Sequence, residues 1–182
     1  MHGYLMVPYH RARVQNQKVA TPAGDAEQAG SIAAGAIDRM SDDRAWLLGP
    51  GTTTRAIASR LGLPKTLVGI DIVTRERVLA LDVGEREILE ASMAGRPLGM
   101  IVAPIGGQGF LFGRGNQPIS PEVIRRVGRH LIVVCGAGKL AALRGEPLLV
   151  DTGDPELDAA LDGYIEVVTG FRESAIYRIS AR

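Results

Sequence analysis

Three glycine-rich segments carry the residue types that handle anionic ligands. The first, Gly49-Pro50-Gly51-Thr52-Thr53-Thr54, sets two glycines and three hydroxyls between an apolar run and a helical pattern. A strand-to-helix turn of this kind points main-chain N–H groups outward from the positive end of a helix dipole, and threonine hydroxyls donate to phosphate oxygens. The same residues also make a plain tight turn with a threonine helix cap, and both readings stand. The Gly-x-x-x-x-Gly-Lys-Ser/Thr spacing of a Walker loop is absent.

The second segment spans residues 104–117, where Gly106, Gly107, Gly109, Gly113 and Gly115 put five glycines into ten residues. That density costs conformational entropy, and close approach to a ligand accounts for it. Beside the glycines stand Gln108, Arg114, Asn116 and Gln117. Arg114 suits a bidentate clamp on phosphate or carboxylate, and Asn116 and Gln117 suit a ribose, an amide or a base edge. A bulged hairpin that turns Phe110 and Phe112 into the core is the alternative. In the third segment, Cys135-Gly136-Ala137-Gly138-Lys139, a lysine near a helix start opposes the dipole unless an anion compensates it. The alternative there is an exposed lysine on a frayed turn.

Asp71, Asp82, Asp151 and Asp154 are the carboxylates considered for acid–base or metal work. Asp71 is the candidate acid. It lies in an apolar run, where an unpaired carboxylate is costly, so a partner is expected. Asp154 reads as a helix cap. His2, His10 and His130 lack the spacing of metal ligands, so no metal site is expected, and neither a Gly-x-Ser-x-Gly elbow nor a convincing Cys/His pair appears. No catalytic base is identified.

The elements that must hold these loops alternate along the chain. Apolar positions at Ile32, Ala33, Ala36, Ile37 and Met40 have helical spacing, which predicts a helix within residues 23–43. Strands are expected at 45–48, 66–73, 78–83, 98–105, 130–135, 147–150, 164–169 and 175–179. Helices are expected at 55–61, 85–93, after Ser120-Pro121-Glu122, from Lys139, and after Asp154-Pro155-Glu156. This order indicates an α/β fold, a mostly parallel sheet with helices on both faces. An N-terminal strand-and-helix arm over 1–43, with a short strand at 4–7 and a basic segment, precedes a domain over 44–182. In such sheets ligands gather at the carboxyl ends of parallel strands, which is where the three loops fall.

With 182 residues, 23% charged and 46% hydrophobic, the chain has the composition of a globular protein. A net charge of +1 supplies no bulk field for nucleic acid, and aromatic residues at 4% leave little for base stacking. No apolar run approaches membrane-spanning length, and the start of the chain lacks a secretory signal pattern. The single cysteine, Cys135, cannot form an internal disulfide, so a cytoplasmic location is expected.

Gly-Tyr-Leu-Met-Val-Pro at 3–8, Leu-Gly-Pro-Gly-Thr-Thr-Thr-Arg-Ala-Ile at 48–57 and Pro-Ile-Gly-Gly-Gln-Gly-Phe-Leu-Phe-Gly-Arg-Gly-Asn-Gln at 104–117 together resemble the C-terminal half of ATP-NAD kinase-like proteins. The resemblance is to the prokaryotic branch that includes the acetoin-catabolism X protein. Residues 120–128 and 150–154 look similar as well. The resemblance implies phosphoryl transfer from ATP or polyphosphate to the 2′-hydroxyl of NAD, with Mg²⁺, giving NADP. It also implies a partner domain carrying a Gly-Gly-Asp-Gly-Thr motif, which this sequence lacks. The chain therefore reads as a fragment that is inactive alone, binds NAD, NADP or another phosphorylated small molecule, and self-associates as a homo-oligomer through uncovered apolar surface. A weaker likeness is to sugar-phosphate isomerase domains, in which a Gly/Thr loop such as 49–54 and a lysine such as Lys139 hold a phosphosugar without implying the same chemistry.

Overall fold

The computed structural model describes residues 22–182; the expected strand at 4–7 and the basic segment after it lie outside the described residues. Helix α1 (Pro22–Arg39) leads into strand β1 (Ala45–Leu48), helix α2 (Thr52–Arg60), strands β2 (Asp71–Val73) and β3 (Val78–Ala80), helix α3 (Glu85–Met93), and strands β4 (Leu98–Val102) and β5 (Phe110–Phe112). Then follow α4 (Pro121–Val127), β6 (Leu131–Val134), α5 (Ala137–Ala142), β7 (Leu148–Val150), α6 (Pro155–Leu161), β8 (Gly163–Gly170) and β9 (Glu173–Ala181). Two caps form as the sequence indicates. Ser120 Oγ accepts from the Val123 amide at 3.4 Å, Asp154 Oδ1 accepts from the Leu157 amide at 3.0 Å, and each is followed by a proline at the helix start.

The nine strands among the described residues form one sheet, in the order β3-β2-β1-β4-β6-β8-β9-β7-β5. The pairs β1–β4, β4–β6, β6–β8, β9–β7 and β7–β5 are parallel, so the sheet is mostly parallel. The β8–β9 pair is antiparallel, so β9, β7 and β5 run opposite to β1, β4, β6 and β8.

Alternation along the strands builds two cores. Leu47, Met100 and Val133 face one side, where Ile88 of α3, Val123 and Ile124 of α4, Leu140 of α5 and Leu157 of α6 pack. Trp46, Leu48, Ile101 and Val134 face the other, under Ile32, Ala33 and Ala36 of α1 and Ile57 and Ala58 of α2. Helices thus cover both faces.

The sheet curls strongly. Neighbouring strands stand about 4.8 Å apart, so β4 and β5, five places apart in the order, would be about 24 Å apart if the sheet were flat. Yet Ile105, three residues past Val102 and so within about 11 Å of it, exchanges main-chain hydrogen bonds with Phe110 at 2.7 and 3.1 Å. The curl closes Leu111, Phe112, Leu148 and Val150 over the same core as Met100 and Val133.

Three expected strands are shorter than their apolar runs. The 66–73 run forms a strand only over Asp71–Val73, because residues 65–69 wrap a buried ion pair, described below. The 78–83 strand stops at Ala80, and Asp82 follows with φ 51. The 98–105 strand ends at Val102, since Ile105 turns back to pair with Phe110.

Candidate functional site

The carboxyl ends of β1, β4 and β6 share one rim, and the loops that leave it are residues 49–51, 103–109 and 135–136. At the first, Gly51 adopts φ 120, a conformation that favours glycine, and starts α2 with no side-chain cap and no acidic residue in the first turn. Its amide donates to the Leu67 carbonyl at 2.9 Å, and the Gly49 amide donates to the Ile101 carbonyl at 2.9 Å. Thr54 is fully buried, and its hydroxyl bonds to the carbonyls of Gly49 at 2.6 Å and Gly51 at 3.0 Å. That hydroxyl is committed to holding the turn. Thr52 is exposed and Thr53 half-buried, beside the uncapped helix start.

Gly106, Gly107 and Gln108 are exposed at the same rim, at the tip of the hairpin closed by Ile105 and Phe110. A Cβ on Gly106 or Gly107 would meet open space, whereas one on Gly109 would stand 3.1 Å from Leu143. Lys139 joins this rim, for its ammonium donates to the Pro104 carbonyl and ties the start of α5 to the connection after β4.

The remaining residues of the glycine segment follow β5 in the chain. Gly113 has φ 90, and a Cβ there would lie 1.7 Å from the Asp151 carbonyl oxygen, so this glycine is required by main-chain packing. Arg114, about half exposed, rests its guanidinium 4.4 Å from the centre of the buried Phe110 ring and 3.8 Å from Asp151 Oδ2. Asn116 is buried, its Nδ2 donating to the Leu111 carbonyl at 2.8 Å, while its Oδ1 has no hydrogen-bond partner. Gln117 is exposed. The segment is therefore a hairpin with Phe110, Leu111 and Phe112 all buried, and residues 114–115 lie against the pair that closes its tip, the Arg114 guanidinium over Phe110 and a Cβ at Gly115 standing 3.2 Å from the Ile105 side chain.

Asp71 has the partner that its apolar surroundings require. Lys65 Nζ lies 3.0 Å from Asp71 Oδ2, and both side chains are 0% exposed. The carboxylate also accepts from the Thr66 amide at 2.9 Å, the Thr66 hydroxyl at 2.9 Å and the Asp82 amide at 2.8 Å. Burial pushes the carboxyl up, but the Asp82 amide, Lys65 and Thr66 together outweigh it and hold Asp71 below the ordinary carboxylate value. Burial draws the Lys65 ammonium below its usual value, and Asp71 opposes that shift. Asp71 is thus an anion enclosed by donors, paired in register with Leu48 at the end of β1.

Other residues reach the rim without having been singled out from sequence. Ser31 Oγ of α1 accepts from the Phe171 amide at 2.9 Å after β8, and Gln28 Oε1 lies 2.8 Å from where a Cβ of Gly136 would stand. Lys65 was equally hidden; its only signal is a lysine six residues ahead of a carboxylate in an apolar run. At the opposite rim, Asp42, Thr74, Arg75, Glu76, Arg77 and Arg96 line a cavity of about 210 Å³, away from these loops.

Among the described residues no three His, Cys, Asp or Glu side chains converge as a metal site, so no Mg²⁺ ligand set is assigned to them. None of the described helices is long and apolar enough to cross a membrane. The family model of the ATP-NAD kinase C-terminal domain matches residues 42–179, about three quarters of the chain and all three loops. No curated protein and no solved structure matches the chain.

Proposed function

The chain belongs to the ATP-NAD kinase C-terminal domain family, and from that premise we propose that it supplies the nucleotide-binding half of a phosphotransferase that moves a phosphoryl group from ATP or polyphosphate to the 2′-hydroxyl of NAD. The observation that carries the reading is the rim itself. The uncapped start of α2, the exposed Gly106-Gly107-Gln108 tip and Lys139 stand together at the carboxyl ends of parallel strands, all inside the matched residues.

In this reading the amides of Thr52 and Thr53, with the Thr53 hydroxyl, bind phosphate oxygens of the dinucleotide at the positive end of α2. The glycine tip lets the ligand approach main chain closely, and Gln108 offers it an amide. Lys139 adds positive charge beside the phosphates. Arg114, stacked on Phe110 at the base of the tip, and Asn116 and Gln117 after β5 contact a further part of the ligand or the companion domain. Asp71, enclosed and ionised, supports the rim from behind and holds no proton to give.

A catalytic base and a Mg²⁺ site are left to the companion domain with the Gly-Gly-Asp-Gly-Thr motif, and the chain alone is inactive. The test is to combine the purified chain with a separately produced Gly-Gly-Asp-Gly-Thr domain and follow NADP formation from NAD. Turnover in the mixture, and from neither part alone, is the expected result; no turnover with ATP or polyphosphate counts against the reading.

A further inference from the structure

The Lys65–Asp71 pair is buried at a cost that its own attraction only partly repays, since both charges leave water. Apolar side chains of similar volume would fill the space without that cost. What the pair does that they cannot is grip main chain. Asp71 accepts from the amide and hydroxyl of Thr66. Lys65 Nζ donates to the carbonyls of Thr66 at 3.0 Å and Gly69 at 3.2 Å. The two ends of residues 66–69 are thereby fixed.

Between those ends stands Leu67, whose carbonyl accepts the Gly51 amide at 2.9 Å. Gly69 completes the arrangement, for a Cβ there would lie 2.2 Å from Asp82 Oδ1 and 2.6 Å from Thr66 Oγ1. The contact chain runs from a buried ion pair, through one short loop, to the glycine that starts α2.

We infer that Lys65 and Asp71 are positioning residues for the anion-binding turn: by clamping residues 66–69 they hold the Leu67 carbonyl on Gly51, and so fix the direction in which the Thr52 and Thr53 amides point. The inference rests on the proposed function for its ligand, though not for its geometry. A phosphate-bearing ligand then meets a turn that is already ordered, and the entropy of ordering is not charged against binding.

The test compares the wild-type chain with Lys65→Met/Asp71→Leu, which removes both charges together and avoids stranding either one. Lys65→Gln/Asp71→Asn serves as a second variant, removing both charges together while keeping polar side chains beside Thr66. Two readouts are taken, amide hydrogen exchange at Gly51 and titration with NAD and with inorganic pyrophosphate. In the folded double variant, Gly51 exchange should rise at least about tenfold while amides of β1 and β4 keep their protection. Affinity for both ligands should fall by about tenfold or more, and Lys65→Gln/Asp71→Asn, which keeps part of the grip on main chain, should lie between wild type and that variant.

Unchanged Gly51 exchange in a folded double variant overturns the inference, as does wild-type affinity with wild-type melting temperature. If the wild-type chain binds neither ligand yet Gly51 is released in the variant, the positioning role stands and the nucleotide reading falls. If Lys65→Met/Asp71→Leu does not fold, Lys65→Gln/Asp71→Asn decides by the same two readouts.

Discussion

The hydroxyl of Thr54 reaches the carbonyl of Gly49 at 2.6 Å, inside the protein, and closes the turn between β1 and α2. Its neighbour Thr53 stands half-buried at the uncapped end of the same helix. Two adjacent threonines thus have opposite duties, one to the fold and one to the rim.

Thr54→Val is therefore expected to lower stability by about 1–3 kcal/mol, because it leaves a buried carbonyl without its donor. Thr53→Val should leave stability within about 0.5 kcal/mol of wild type while weakening affinity for a phosphate-bearing ligand. Urea denaturation and ligand titration of both variants separate the two effects.

The glycines of residues 106–115 divide in the same way. Gly113→Ala forces a Cβ toward the Asp151 carbonyl at a φ of 90, so folding itself should suffer, with a loss of several kcal/mol. Gly107→Ala meets open space without a positive φ and should fold as wild type. A lowered NAD affinity in Gly107→Ala at unchanged melting temperature marks the tip as a contact surface.

Trp46 faces Gly99 across β1 and β4, and a Cβ at residue 99 would stand 2.6 Å from the indole ring. Gly99→Ala should cost about 1–3 kcal/mol by overpacking. Trp46→Phe combined with Gly99→Ala should recover part of the loss, as a double-mutant cycle in urea would measure.

Removing one member of the buried pair strands the other. Lys65→Met alone should lose about 3–5 kcal/mol, and Lys65→Met/Asp71→Leu considerably less. Equal losses in the single and double variants would contradict the account of the pair.

Acid should weaken the fold through carboxylates held below their ordinary values. Asp71 is lowered by the Asp82 amide, Lys65 and Thr66 against the opposing effect of burial; Asp154 by the Leu157 amide and Arg125; Glu166 by Arg39. Each contributes stability that is present above the unfolded carboxylate value of about 4 and is lost as pH falls through the lower folded value. The melting temperature should fall below about pH 4, and the double variant lacking Asp71 should show a shallower fall. Identical acid limbs would remove Asp71 from this explanation.

Local structure was legible where periodicity and punctuation agree. The strand at Ala45–Leu48, the helix at Glu85–Met93 and the caps at Ser120 and Asp154 follow directly from their residues. Hydrophobicity misled at residues 66–70, where Leu67 and Val68 are exposed on a loop tied down by Lys65. At β5 the hairpin was legible only as the alternative to a ligand loop, because three buried residues in a row carry no period to mark a strand. The opposite direction of β9, β7 and β5 depends on a single hairpin, Gly163–Gly170 with Glu173–Ala181, and no local pattern announces the curl that follows. For the site, the three loops could be named from composition. Which of their residues share a rim could not, since only the folded chain lays Arg114 over Phe110 and Gly115 against Ile105, the pair that closes the tip.

Calorimetric titration of the purified chain with NAD, NADP, ATP and a sugar phosphate, each with and without Mg²⁺, tests the central claim most directly. The account expects saturable binding of NAD or NADP, weakened by Thr53→Val and preserved in variants outside the rim. Binding of the sugar phosphate alone, or NAD binding indifferent to Thr53→Val and Gly107→Ala, would contradict it.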